Sequence, residues 1–259
     1  MFEEIASGVF VRQSAFCQSN AILVRDAGSA LLVDPGTDGD DLSGLADDLE
    51  ALGVVATLGF STHPHWDHLL WHERFGDVAR YGTAKCVAVA RERLEPNQEM
   101  ASRLAPGAPL LTLERVGALP PGSTHIPLRS RSIRILEHDG HAPGHAGLLI
   151  EDVSVLIAGD MLSDVEIPLF DPRGADPPGD YSIALDLLDS ASADMVIPGH
   201  GSVAHGAEVG SRIDADRRYV RALLAGDDPA DPRVGSDATY GADWLPECHQ
   251  RNVELARKV

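Results

Sequence analysis

One point in the chain narrows the possible folds more than any other. The apolar stretch from Val54 to Ser61 reads as a strand, and it runs straight into Thr62-His63-Pro64-His65-Trp66-Asp67-His68. Three histidines and an aspartate within six positions are poor material for a hydrophobic core; at a strand exit they suit a metal site. Imidazole with carboxylate fits zinc, iron or manganese. His63 and His65 alternate, so in an extended segment they project to the same side. Asp67 and His68 follow the point where the chain turns and can reach a second position nearby, so the spacing predicts two metals.

Three further positions repeat the pattern. His145 sits in Ala142-Pro143-Gly144-His145-Ala146-Gly147, a tight turn before a strand. Asp160 ends the apolar run Ile157-Ala158-Gly159-Asp160, and His200 follows Val196-Ile197-Pro198-Gly199. Open α/β sheets build sites by delivering side chains from strand ends onto one edge. A glycine beside each candidate lets backbone approach closely.

The rest of the chain supports an α/β reading. Gly8 to Arg12, Asn20 to Arg25 and Ala30 to Asp34 read as strands between turn signals. Leu42, Leu45, Leu49 and Leu52 recur at helical spacing, and Gly53 stops that helix. Ala84 to Leu94 reads as a helix, and the Pro- and Gly-rich stretch from Pro96 to Pro127 as loop with short elements. Arg131 to Glu137 is a half-buried strand, and 148–151 with 154–158 a hairpin. Met161 to Gly179 is a long loop, of a length that is often functional. Asp180 would cap a helix carrying Ile183, Leu187 and Leu188. Met195 to Pro198 is a strand, Ala207 to Ala225 an amphipathic helix, and Trp244 to Lys258 a terminal helix. No repeat and no Gly/Ser linker divides the 259 residues, so a single domain over 1–259 is expected.

Charge excludes some partners. The formal net charge is −19, and all 11 histidines protonated would leave it at −8. Such a surface repels phosphate backbones and anionic membrane faces. No nucleic acid and no membrane partner is expected; nothing here indicates an oligomeric state. Cys17, Cys86 and Cys248 are few and scattered, which suits a reducing compartment. The acidic start Met1-Phe2-Glu3-Glu4 is unlike a secretory signal, and no apolar run approaches the roughly 20 residues needed to span a bilayer. A cytoplasmic location is the expectation.

The ordered pattern His-x-His-x-Asp-His, then His, Asp and His, resembles the metallo-β-lactamase superfamily. The seven positions span His63 to His200, the middle half of the chain. The resemblance implies a four-layer αββα sandwich. It implies that His63, His65 and His145 hold a first metal, that Asp67, His68 and His200 hold a second, and that Asp160 bridges them. Two zinc ions are the expected cofactors, with iron or manganese possible. Two metals sharing a hydroxide at neutral pH give hydrolysis; Asp67 would orient that nucleophile as well as bind, and Asp160 would fix the metal separation.

Fold alone does not choose among the branches of such a superfamily. Asp160 and His68 are both present and no cysteine falls at a ligand position, which resembles the lactonase and glyoxalase II-like branch more than the true β-lactamases. The expected activity is cleavage of an ester, thioester or lactone of a small acyl substrate. The alternatives are a phosphodiesterase or nuclease of the same fold, a mononuclear iron persulfide dioxygenase, a β-lactamase, or a non-catalytic metal binder. Among other residues, His72 would share a helical face with His68, and His141 precedes His145 on its turn as a possible donor, more simply an ordinary residue. His125, His138, His205 and His249 read as surface residues. Trp66 packs under the site or walls it, and Ile167, Leu169, Phe170 and Tyr181 are candidates to flank it.

Overall fold

The N-terminal strands are apolar on both faces, and strands of that kind have to be covered on both sides. The computed structural model, which describes residues 1–258, covers them with two stacked sheets enclosed by helices. The first sheet runs in chain order through β1 (Glu3–Ala6), β2 (Val9–Gln13), β3 (Asn20–Asp26), β4 (Ser29–Val33), β5 (Leu58–Phe60), β6 (Arg80–Gly82) and β7 (Gly117–Ala118). The second contains β8 (Ile133–His138), β9 (His145–Ile150), β10 (Val155–Gly159), β11 (Met195–Pro198) and β12 (Ala204–His205), ordered β12-β11-β10-β9-β8. Helices α1 (Gly39–Ala51), α2 (Trp66–Leu69), α3 (Ala84–Glu92) and α4 (Leu94–Leu104) accompany the first sheet, and α5 (Pro177–Ser190), α6 (Ala207–Leu224) and α7 (Leu245–Ala256) the second.

Strand alternation sorts the core into layers. In β3, Ile22 and Val24 face the other sheet and meet Ile133, Leu148, Ile150 and Ile157. Ala21 and Leu23 point the other way, onto Leu42, Leu45 and Leu49 of α1. On the far side Leu149, Leu156 and Val196 pack against Tyr181, Leu185 and Leu188 of α5 and against α6. The result is the αββα sandwich. No helix among the described residues is long and apolar enough to cross a membrane.

Several local expectations are corrected. The strand over Val54 to Ser61 shrinks to Leu58–Phe60, because only those residues find parallel partners in β4 and β6; Val55 is 75% exposed. The expected loop after Pro96 begins inside α4: Pro96 is its third residue, where a missing N–H costs no helical bond. Asp176, not Asp180, caps α5; its carboxylate accepts from Gly179 N, and Pro177 and Pro178 fill the first turn. Ile183 lies on the outer face of α5, 67% exposed. α2 ends at Leu69 and Leu70 is extended, so His72 shares no helical face with His68.

The two sheets are laced together at one rim. Ala146 N donates to the Thr62 carbonyl at 2.9 Å, and Asn20 N donates to the Gly199 carbonyl at 2.7 Å. The Asn20 amide also donates to Pro198 and Gly201 carbonyls, each at 2.9 Å. The histidines and aspartates gather at this rim.

Candidate metal centre

Five chain crossings supply the site. Asp34 follows β4, the His63–His68 segment follows β5, His141 lies in the turn between β8 and β9, Asp160 follows β10 and His200 follows β11. Gly199 explains how His200 can sit so near Asp160: a Cβ there would lie 2.0 Å from Asp160 Oδ1.

One ligand atom each from His63, His65, His141 and Asp160 form a group within 4.8 Å of one another. His65 Nδ1 lies 3.0 Å from His63 Nε2 and 3.1 Å from His141 Nε2. Asp160 Oδ2 lies 3.3 Å from His63 Nε2 and 3.4 Å from His141 Nε2. A tetrahedral ion with ligands at roughly 2.0–2.1 Å would set them about 3.3–3.4 Å apart, so this spacing fits a single metal. Asp67, His68 and His200 form a second group. The other oxygen of Asp160, Oδ1, lies 3.2 Å from His68 Nε2 and 3.6 Å from His200 Nε2. Each oxygen of Asp160 therefore faces a different cluster. Both nitrogens of His68 and Asp160 Oδ1 are buried without a well-aligned hydrogen-bond partner, and a buried polar atom of that kind calls for one. By donor type, spacing and orphaned atoms, these residues fit a pair of metals.

Ring orientation is set from behind. The Thr62 hydroxyl donates to Asp34 Oδ2 at 2.6 Å, so it accepts from His63 Nδ1 at 3.0 Å and leaves Nε2 free toward the site. Asp34 Oδ2 is also 3.0 Å from His68 Nδ1. His200 Nδ1 donates to the Cys17 carbonyl at 2.8 Å. Outer partners of this type fix tautomer and direction in metal sites. Nothing in the motif singles out Asp34; only its place at a strand end hints at it.

The structure overturns the assignment of His145. It pairs directly with His138 across β8 and β9, the two rings 4.6 Å apart. Its Nδ1 donates to the Gly140 carbonyl at 3.0 Å, and its Nε2 faces Gly159. His145 stays in the strand ladder, its ring 4.8 Å from that of His63 but outside the four-donor group, whereas His141, at φ 68° in the turn, is carried into it. His141 takes the place expected of His145. His138 and His249, expected at the surface, are both 7% exposed; His249 is held by the Tyr219 hydroxyl at 2.8 Å and Asp228 at 2.9 Å. His125 and His205 are exposed.

The two clusters differ electrostatically. Burial lowers the pKa of His63, His65 and His141, and takes His145 down to about 4. Burial opposes charge on His68 too, but Asp160, Asp67 and Asp34 overcome it and hold its pKa well above the ordinary value. His200 is pushed up to about 10 against burial by Glu166, Asp160 and Asp67. Against the same cost, His68 and neighbouring histidines keep Asp67 and Asp160 ionised.

Both clusters open into a cavity of about 770 Å³. Trp66, 8% exposed, walls it and meets Phe16 edge-on. Leu169 and Phe170 line it, whereas Ile167 and Tyr181 are buried in the helix-side core and do not. Cys17 and Cys248 border the cavity outside both clusters, and burial pushes the Cys17 thiol up to about 12. Glu166, which sequence reasoning missed, also faces the cavity.

An αββα sandwich carrying paired His/Asp clusters at one rim defines a class, and the chain belongs to it: the metallo-beta-lactamase superfamily profile matches residues 14–200. Members of that superfamily are largely metal-dependent hydrolases. Among named relatives, the hydroxyacylglutathione hydrolase GloC of Haemophilus influenzae is 28% identical over 204 residues, spanning 73% of this chain and 88% of that protein. A metallo-beta-lactamase family protein of Thermus thermophilus superposes with a TM-score of 0.71 at 22% identity, over 96% of this chain and 92% of that one. TTHA1623, solved in a di-iron-bound form, superposes with a TM-score of 0.59 at 23% identity, over 78% of this chain and 95% of its own.

Proposed function

We propose that the protein is a metal-dependent hydrolase that cleaves an ester, thioester or lactone of a small acyl substrate. The observation that carries this is the placing of Asp160 between two donor clusters, one oxygen toward each. His63, His65 and His141 would hold a first metal, Asp67, His68 and His200 a second, and Asp160 would bridge them. Zinc suits the imidazole-rich set, with iron or manganese as alternatives. Bound there, the metal pair would supply a hydroxide nucleophile at neutral pH and would polarise the acyl carbonyl.

The chain's own residues do the rest. Thr62 and the Cys17 carbonyl hold His63 and His200 with one nitrogen free. Asp67 lies on the cavity wall, where its carboxylate would accept a hydrogen bond from the attacking water and so orient it. Trp66, Leu169 and Phe170 give the acyl chain an apolar wall and keep bulk water from it. Arg93 also borders the cavity, and a guanidinium there favours a substrate carrying a carboxylate. The name of the Haemophilus influenzae relative denotes hydrolysis of an acylglutathione, consistent with an acyl substrate.

Metal quantification on protein purified without chelator or added metal, followed by an acyl-ester, thioester, lactone and phosphodiester panel, tests the proposal. Two equivalents of metal and turnover of at least one acyl substrate are expected. Turnover of phosphodiesters alone, or one equivalent of iron with no hydrolysis, would overturn it.

A further inference from the structure

Most buried carboxylates around the cavity have a basic partner at close range. Asp171 is paired with Arg173, Asp34 contacts His68, and Asp67 and Asp160 converge on histidines. Glu166 differs. It is 7% exposed, and among the described residues no lysine or arginine side chain lies within ion-pair distance of its carboxylate. Its carboxylate takes one hydrogen bond, from the Tyr240 hydroxyl at 2.6 Å. A buried carboxylate is retained where it is paired or coordinates a cation.

The anchors of Glu166 are also the anchors of His200. Glu166 N donates to Ser163 Oγ at 3.0 Å, and that hydroxyl donates to the His200 carbonyl at 2.8 Å. The Tyr240 hydroxyl lies 3.1 Å from the Cys17 carbonyl, the acceptor that orients the His200 ring. Arg233 donates to the Glu166 carbonyl at 2.8 Å, pinning the backbone. The outcome is a third group: an oxygen of Glu166, an oxygen of Asp160 and a ring nitrogen of His200 lie within 4.8 Å of one another.

We propose that Glu166 is an eighth ligand of the metal centre, entering the second position beside His200 and Asp160, with Tyr240 as its positioning residue. This rests on the binuclear reading above. It makes the centre unsymmetrical. The first position has three imidazoles and one carboxylate, while the second has two imidazoles and three carboxylates. Oxygen donors favour harder ions, so the second position prefers manganese(II), relative to zinc, more than the first does.

The test compares wild type, Glu166→Gln and Tyr240→Phe. Each is loaded with zinc or manganese(II), and each metal is then withdrawn by a competing chromogenic chelator. Glu166→Gln keeps the shape and the acceptor for Tyr240 but removes the charge. The expected result is a loss of at least about tenfold in affinity for one of the two metals, larger for manganese(II) than for zinc, with the other unchanged. Tyr240→Phe should weaken the same metal by less. In the manganese(II) form, the spin-coupled pair signal of wild type should give way to that of an isolated ion in Glu166→Gln. Unchanged affinity and spectrum in Glu166→Gln would overturn the assignment, as would equal weakening of both metals, which marks a structural role. A wild type that binds one equivalent would defeat the binuclear reading; loss of that ion in Glu166→Gln would still support ligation by Glu166, and its retention would overturn it.

Discussion

The two halves of the centre solve the same burial problem in opposite ways. Around His63, His65 and His141, three desolvated imidazoles stay neutral and bring one ring nitrogen each together, with a single carboxylate oxygen among them. Around His68 and His200, carboxylates outnumber imidazoles, and without metal the imidazoles keep their protons. The first half lacks a cation; the second supplies its own. What separates them is the number of carboxylates at each strand end, since burial is similar.

The largest test of this contrast is Asp160→Asn, which touches both halves. Binuclear metal content should collapse and hydrolysis should fall by more than about 100-fold, beyond what an outer partner costs, with the circular dichroism of the fold retained. Full occupancy by two metals would remove Asp160 from its bridging role. A paired substitution then separates the halves. His141→Ala should empty the first position and leave the second measurable by metal analysis, whereas His145→Ala should keep both metals. The reverse pattern would restore His145 as the ligand. Asp34→Asn comes next: by loosening His68 and, through Thr62, His63, it should weaken metal binding by about 10–100-fold, read by chelator competition.

The smallest effect is on stability of the metal-free protein. His145 has a folded pKa of about 4, below the ordinary 6.5, so the unfolded chain binds more protons in between. Stability should fall as pH drops from 6.5 to 4, by up to about 3 kcal/mol from this residue. His200, raised to about 10, has the opposite sign: its contribution is full below 6.5 and is lost as pH rises through 10. Denaturant titrations from about pH 4 to 11 should show both slopes, and His145→Gln should reduce only the acidic one, to which His63, His65 and His141 also contribute. A metal-free protein equally stable across that range would break the contrast.

The first motif was readable because its ligands are consecutive, so their geometry follows from one strand exit and one turn. Asp160 and His200 were readable as polar residues closing apolar runs. His141 was not. It lies four positions before His145, and only the register of β8 on β9, which pairs His138 with His145, decides which of them is left free in the turn. Asp34 and Glu166 were missed for a related reason: each is an ordinary acidic residue in sequence, and its importance comes from chain segments far away. α4 was missed because a proline within its first turn looks like a breaker until the helix start is known.

The sequence by itself determined the α/β class, the strand exits that carry chemistry and the kinds of donor offered there, because periodicity and residue type are local properties; the layering came only through the family resemblance. Tertiary structure alone decided which histidine completes the first cluster, which acid steers His68 and which buried carboxylate stands beside His200. Those choices depend on how two sheets meet at a rim, and contacts between distant segments leave no periodic trace in the chain.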